Sequence, residues 1–161
     1  VKGTYWLLKA AVEAGVKRAV YASTLSIYDG NWPQGDQVFD ESVPPSPRHN
    51  YAITKFMGEE LFRTFALHYH LPSLCLRLTG VMSEEEAERA KARGGDGWWK
   101  GATHVRDVAR AFRLALEHNN TDCDSIIICG DNVGRQWDIS KARRVLGFWP
   151  EEGFGPPKAH E

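Results

Sequence analysis

In HNYAITKFMGEE (residues 49–60), Tyr51 and Lys55 stand four residues apart. Residues at i and i+4 share a helix face, so a phenol and an ammonium would meet there. A free phenol, with a pKa near ~10, is a poor base at neutral pH, and a neighbouring cation favours its phenolate. Upstream, AVYAST ends in Ser23 and Thr24. The Thr24 hydroxyl could bond a substrate carbonyl or alcohol and align it with Tyr51, while Lys55 could also donate to the ribose hydroxyls of a nicotinamide cofactor. These are the parts needed to move a proton while a hydride moves between substrate and nicotinamide. The competing reading is an ordinary exposed helix face, with Lys55 paired to Glu59 one turn on.

Such a trio needs strands and helices to bring it together. Residues 2–14 read as a helix with Trp6, Leu7, Ala10, Ala11 and Ala14 as its apolar positions and Gly15 as its stop. A short buried strand follows, centred on Ala19–Ala22, and then a long polar loop rich in Gly, Pro and Asp. A second helix is expected from about Asn50 to His70, with Ile53, Phe56, Met57 and Leu61 as its stripe. LPSLCLRLTGV reads as a second strand, THVRDVARAFRLALEHNN as a helix with Val108, Ala111, Phe112 and Ala115 on one face, and DSIIICGDN as a third strand. DISKARRVLGFWP closes the pattern as a short helix, followed by a frayed tail. Apolar strands alternating with helices predict parallel βα units covered on both faces. In such sheets ligands bind beyond the carboxyl ends of the strands, where Thr24 and the run Arg77–Gly80 would lie.

At 161 residues the chain is long enough for one compact domain. A net charge of −1 lacks the basic footprint of a nucleic-acid or membrane-surface binder. No apolar run is long enough to span a bilayer, and the opening VKGTYWLLKAAVEAG carries no cleavage-site pattern. Cys75, Cys123 and Cys129 form no C-x-x-C pair, which fits buried, reduced thiols in a cytoplasmic protein. The chain opens at Val1 inside a helical pattern, so a fragment is expected.

Other residues invite weaker readings. His68 and His70 point to different sides of a helix and make a poor metal pair, so no metal is expected. Thr103 or His104 is expected to start a helix and Asp107 to favour its first turn. Arg77 could attract a substrate carboxylate, but a structural arginine at a strand end is the expectation. Trp98 and Trp99 could wall a sugar site or cover a core edge. SEEEAERAKAR reads as a solvated helix, and RGGDGWWKG as a loop.

Five blocks together carry a resemblance: GTYWLLKAAVEAGVKRAVYASTLSIY, DESVPPSP, YAITKFMGEEL, LRLTGV and THVRDVARAFRLAL. Over nearly its whole length the chain resembles the extended short-chain dehydrogenase/reductases, in their NAD-dependent epimerase/dehydratase branch. The resemblance implies a Rossmann-like fold and NAD or NADP as cofactor. It implies Tyr51 as catalytic acid/base, Lys55 as its partner on the nicotinamide ribose, and Thr24 as the catalytic hydroxyl. Leu78 and Thr79 align with positions at the nicotinamide end, and Leu25 and Ser26 join Thr24 and Tyr51 around the substrate.

The departures from the family pattern are informative. The Gly-x-x-Gly-x-x-Gly fingerprint is absent, so the expected fold is an incomplete doubly wound parallel α/β sheet lacking its dinucleotide-fingerprint half. Residues 1–161 then form the C-terminal part of one NAD(P)-binding domain, with a short substrate segment at about 80–102, and would not hold the cofactor measurably alone. Leu25 and Ser26 replace the Asp-Glu pair of family dehydratases, which favours an epimerase or dehydrogenase. The short segment is similar to compact members such as uronate dehydrogenases. The expected partner is a small sugar-like substrate, with no nucleic acid, no membrane, and a homodimer as an option for the full-length protein. The alternative is a non-catalytic dinucleotide-binding regulatory or scaffold module, or an inactive fragment.

Overall fold

A computed structural model describes residues 1–93, 102–119, 121–130, 136–152 and 154. Its elements are α1 (Lys2–Glu13), β1 (Ala19–Thr24), a 3-10 turn (Leu25–Tyr28), α2 (Asn50–Tyr69), β2 (Ser73–Leu78) and β3 (Gly80–Met82). They continue with α3 (Glu84–Ala92), β4 (Ala102–His104), α4 (Val105–Glu117), β5 (Cys123–Ile128) and α5 (Ser140–Leu146). Three strands pair in the order β1-β2-β5, all parallel. Parallel neighbours need long crossovers, and α2 and α4 lie within them. The register sets Thr24, Leu78 and Ile128 in one line, so three strands end together at the edge where α/β proteins bind ligands.

Strand β2 is central and buried along almost its whole length. Side chains alternate between the sheet faces. Leu74 and Leu76 enter the larger core with Ile126, Ala111, Ala115 and Phe148, whereas Cys75 joins Leu8, Phe62, Phe65 and Leu71. The sheet is thus covered by α4 and α5 on one side and by α1 and α2 on the other. Each fully buried Leu or Ile contributes about 1.5–3 kcal/mol relative to exposure.

Several expectations are corrected here. In α1 the buried residue is Leu8, while Trp6 and Leu7 are exposed. In α2, Phe56 and Leu61 of the expected stripe are half-buried against the cores, but Ile53 and Met57 face solvent, and the fully buried residues are Ala52, Gly58, Glu59, Phe62, Phe65 and Ala66. The sheet-facing side of that helix combines two phenylalanines with small residues and one buried carboxylate. Strand β1 is only half-buried over Ala19–Ala22 and buried at Ser23 and Thr24, because it lies at the sheet edge. The run LCLRLTGV breaks at Thr79, and β3 leaves to pair with β4 in a separate two-stranded sheet. The α4 stripe agrees at Val108, Ala111 and Ala115, with Asp107 added and Phe112 half-buried.

The long loop after the 3-10 turn covers the far edge of the sheet. The Phe39 N–H donates to Gln136 O and the Asp138 N–H to Phe39 O, each at 2.8 Å. The Glu41 carboxylate accepts from the Ile127 N–H at 2.7 Å, satisfying a backbone donor of β5. Burial pushes the Glu41 carboxyl above its ordinary range.

Candidate active site

Thr24 is the last residue of β1 and is buried. Its extended backbone and short hydroxyl suit an N-cap. Oγ1 accepts from the Ser26 N–H and donates to Ser26 Oγ, both at 3.1 Å. The turn that follows buries Leu25, Ile27 and Tyr28 in the core. The Leu25 side chain is therefore packed away, which leaves its backbone as the part that can face a ligand.

The loop returns to this turn before α2 begins. The Asp29 carboxylate accepts from the Arg48 N–H at 2.5 Å and the His49 N–H at 3.2 Å. The Ser46 N–H donates to Ile27 O and the Gly30 N–H to Ser46 O, each at 2.8 Å. These four bonds fix the start of α2 against the residues just after Thr24. Tyr51, in the first turn of α2, is 57% exposed. Lys55, one turn on, is half-buried and donates through Nζ to Ala22 O at 2.9 Å. The same Nζ lies 5.6 Å from the Tyr51 ring centre and 5.4 Å from that of Tyr21. The ammonium thus sits at the end of β1, beside the Tyr51 phenol and two residues from Thr24.

Tyr21 was not anticipated from sequence. Its phenol reaches α2 at Gly58, where any Cβ would overlap the ring. Burial pushes its hydroxyl above its ordinary range, with Cys75, Glu59 and Tyr51 adding to the effect. The glycine between Lys55 and Glu59 was the available signal for such a close approach.

Beneath the site lies a buried polar network. Glu59 and Arg77 form a two-bond ion pair, Nε to Oε1 at 3.1 Å and Nη2 to Oε2 at 2.8 Å. Ser23 donates to Glu59 Oε1 at 2.5 Å and Ser125 to Oε2 at 3.2 Å. Arg77 Nη1 donates to Tyr28 Oη at 2.6 Å. Burial opposes the Arg77 charge, but Glu59 and Tyr28 outweigh it and raise its pKa. Burial also pushes the Tyr28 hydroxyl upward despite Arg77, so it serves as a neutral acceptor. One carboxylate therefore ties α2 to β1, β2 and β5. This excludes the Lys55–Glu59 pair as drawn from helical spacing, and it gives Arg77 the structural role expected of it.

Leu78 is half-buried against the larger core. The Thr79 N–H donates to Ile128 O at 3.3 Å, and its hydroxyl bonds that of Thr103, which also accepts from the Gly130 N–H at 3.0 Å. Thr79 thus sits where three chain segments meet, beyond the ends of β2 and β5. His104 caps α4, with Nδ1 accepting from the Arg106 N–H at 3.2 Å. Asp107 is buried and accepts from Arg110 and from the Glu151 and Glu152 N–H groups. Among the described residues no cluster of three or more candidate metal ligands occurs. Trp98 and Trp99, and the glycine-rich loop around them, lie outside the described residues.

A sequence profile of the NAD dependent epimerase/dehydratase family matches residues 1–95, a range that contains Thr24, Tyr51 and Lys55. The chain belongs to this family. As a member of the NAD-dependent epimerase/dehydratase family, it is 38% identical over 123 residues to mouse dTDP-D-glucose 4,6-dehydratase, covering 76% of this chain and 29% of that one. It is 27% identical to the NAD-dependent glucose-6-phosphate dehydrogenase of Haloferax volcanii, covering 94% of this chain and 60% of that one. The solved structure of MoeE5 with UDP-glucuronic acid and NAD superposes with a TM-score of 0.77 at 25% identity, covering 95% of this chain and 66% of that one. The chain thus spans only part of the length of these relatives.

Proposed function

We propose that this chain supplies the catalytic end of an NAD- or NADP-dependent enzyme that oxidises, or oxidises and re-reduces, an alcohol of a sugar or nucleotide sugar. The observation that carries this reading is the Lys55 ammonium, bonded to Ala22 O at the tip of β1 and set beside the Tyr51 ring. The residues present fit the nicotinamide ribose. An ammonium has three donors, and Ala22 O takes one, which leaves others for a ribose diol.

The cofactor, when bound, supplies the hydride acceptor or donor. Thr24 orients the substrate oxygen, and Tyr51 takes its proton as the carbon is oxidised. The positive charge of Lys55 favours the phenolate form in which Tyr51 accepts that proton. Thr79 and the backbone of Leu78 border the nicotinamide end. The fingerprint glycines that grip a pyrophosphate are not in this sequence. Residues 1–161 therefore act as one part of a cofactor-binding domain, with the pyrophosphate held elsewhere. The mouse relative is a dehydratase by name. Here the equivalent turn offers Leu25, buried, and Ser26, bonded to Thr24, so that turn itself supplies no carboxylic acid to protonate a leaving hydroxyl.

The test uses the full-length protein, a panel of sugars and sugar nucleotides, and nicotinamide absorbance. Tyr51→Phe should lower turnover by ~10²–10⁴-fold with cofactor affinity nearly unchanged. Near-normal turnover in that variant removes Tyr51 from the reaction. Cofactor binding without any redox change across the panel supports the scaffold alternative instead.

A further inference from the structure

At the other end of the strands from Thr24, two thiols meet. Cys75 in β2 and Cys123, the first residue of β5, face the same side of the sheet with their sulfurs 3.9 Å apart. They are not directly opposite: Cys123 is in register with Ser73, and Cys75 with Ser125. Cys75 is fully buried among Leu8, Phe62, Phe65 and Leu71, while Cys123 is half-buried at the rim of that cluster. Nothing in the proposed hydride chemistry uses either thiol.

We propose that Cys75 and Cys123 form a peroxide-reactive dithiol, in which Cys123 is the sulfur attacked first and Cys75 the one that resolves it into a reversible disulfide. Three features support this assignment. Cys123 has access to solvent and its partner does not, so a small oxidant meets Cys123 first. The shared hydrogen bond draws the Cys123 thiol below its ordinary range and, with burial, pushes Cys75 well above. Arg63 also favours the Cys123 thiolate, while burial, Glu59 and Asp124 oppose it. Thiolates, not thiols, attack peroxides, and accessible ones beside a second cysteine are the reversible sites.

The chemistry balances as follows. The Cys123 thiolate attacks one peroxide oxygen and breaks the O–O bond, giving a sulfenic acid and a hydroxide that leaves as water. The Cys75 sulfur then attacks the Cys123 sulfur, the S–O bond breaks, and the departing hydroxide takes the Cys75 proton as a second water. Two thiols are oxidised and one hydrogen peroxide is reduced to two waters. The sulfurs must close from 3.9 Å to the ~2.05 Å of a disulfide. Cys123 opens β5, and the Asp122 carbonyl before it accepts from the Ser73 N–H at 3.0 Å, so closing this diagonal pair requires a shift of that strand end.

The experiment treats the reduced chain with a few equivalents of hydrogen peroxide, then alkylates the remaining thiols and measures intact mass and peptide maps. The expected product has Cys75 joined to Cys123 and Cys129 alone alkylated, about 2 Da lighter than the reduced chain carrying that one alkyl group, and dithiothreitol returns Cys75 and Cys123 as thiols. Cys129→Ser should cross-link equally well, which also separates Cys123 from Cys129 in the map. Cys75→Ser should stop at a sulfenic acid on Cys123 that dimedone captures. Over-oxidation of Cys123 with Cys75 still alkylatable overturns the proposal, as does a cross-link that needs Cys129 or three unreacted thiols. The unsubstituted chain and Cys129→Ser decide the matter even where Cys75→Ser fails to fold.

Discussion

Removing the Glu59 carboxylate leaves Arg77 charged in a place that water does not reach. Both side chains are 5% exposed or less. Breaking one side of a buried pair costs about 3–5 kcal/mol, and Glu59→Ala should show a loss of that size in urea unfolding. Replacing both partners with apolar residues, as in Glu59→Leu with Arg77→Met, should recover most of it; no recovery would mean that the helix packing, not the charge, was lost. Lys55→Met tests a different bond. It removes the donor to Ala22 O, so stability should fall by only about 0.5–1.5 kcal/mol, whereas under the proposed function turnover of the full-length protein should fall steeply and its KM for cofactor rise. At this scale the sequence was partly legible. An arginine inside LCLRL announces a buried cation that needs a partner. Helical spacing pointed Glu59 at Lys55 instead, because spacing says which residues share a face and not which of two cations lies below it.

Helix α2 is placed by what it lacks as much as by what it buries. Alanine at an exposed helix glycine gains about 1 kcal/mol, yet a Cβ at Gly58 would overlap the Tyr21 ring. Gly58→Ala should therefore destabilise the chain, and adding Tyr21→Ala should return part of the helix-propensity gain; thermal melts of both read this directly. The element sequence was legible where the apolar runs were long, as in β2, β5 and α4. It was not legible in β3 and β4, since three residues are too few for a period. The buried face of α2 was legible at Phe56 and Leu61 and missed elsewhere for a related reason: a count of apolar positions favoured Ile53 and Met57, while the sheet accepts Ala52, Gly58 and Glu59.

Across the whole molecule the two outer strands are treated differently. Glu41 and the Phe39–Trp137 bridge close the β5 side. On the β1 side, among the described residues, the Lys55 amine on Ala22 O is the bond that reaches the strand. The Ala19 N–H donates to Pro72 O, toward β2, so alternation turns the Val20 and Ala22 amides outward. An open edge invites pairing with another chain. The chain alone should associate at raised concentration in light scattering, and Val20→Pro should reduce that while sparing the ladder, because proline is tolerated where the edge N–H faces out. Equal scattering from both would move the contact elsewhere. The far end of the molecule is fastened by Asp107, whose two oxygens hold the amides of Glu151 and Glu152 from within α4. Anyone shortening this protein meets a boundary there. A stop codon after Pro150 would abandon a carboxylate sealed from solvent with Arg110 as its remaining support, while one placed after Phe154 keeps the knot tied.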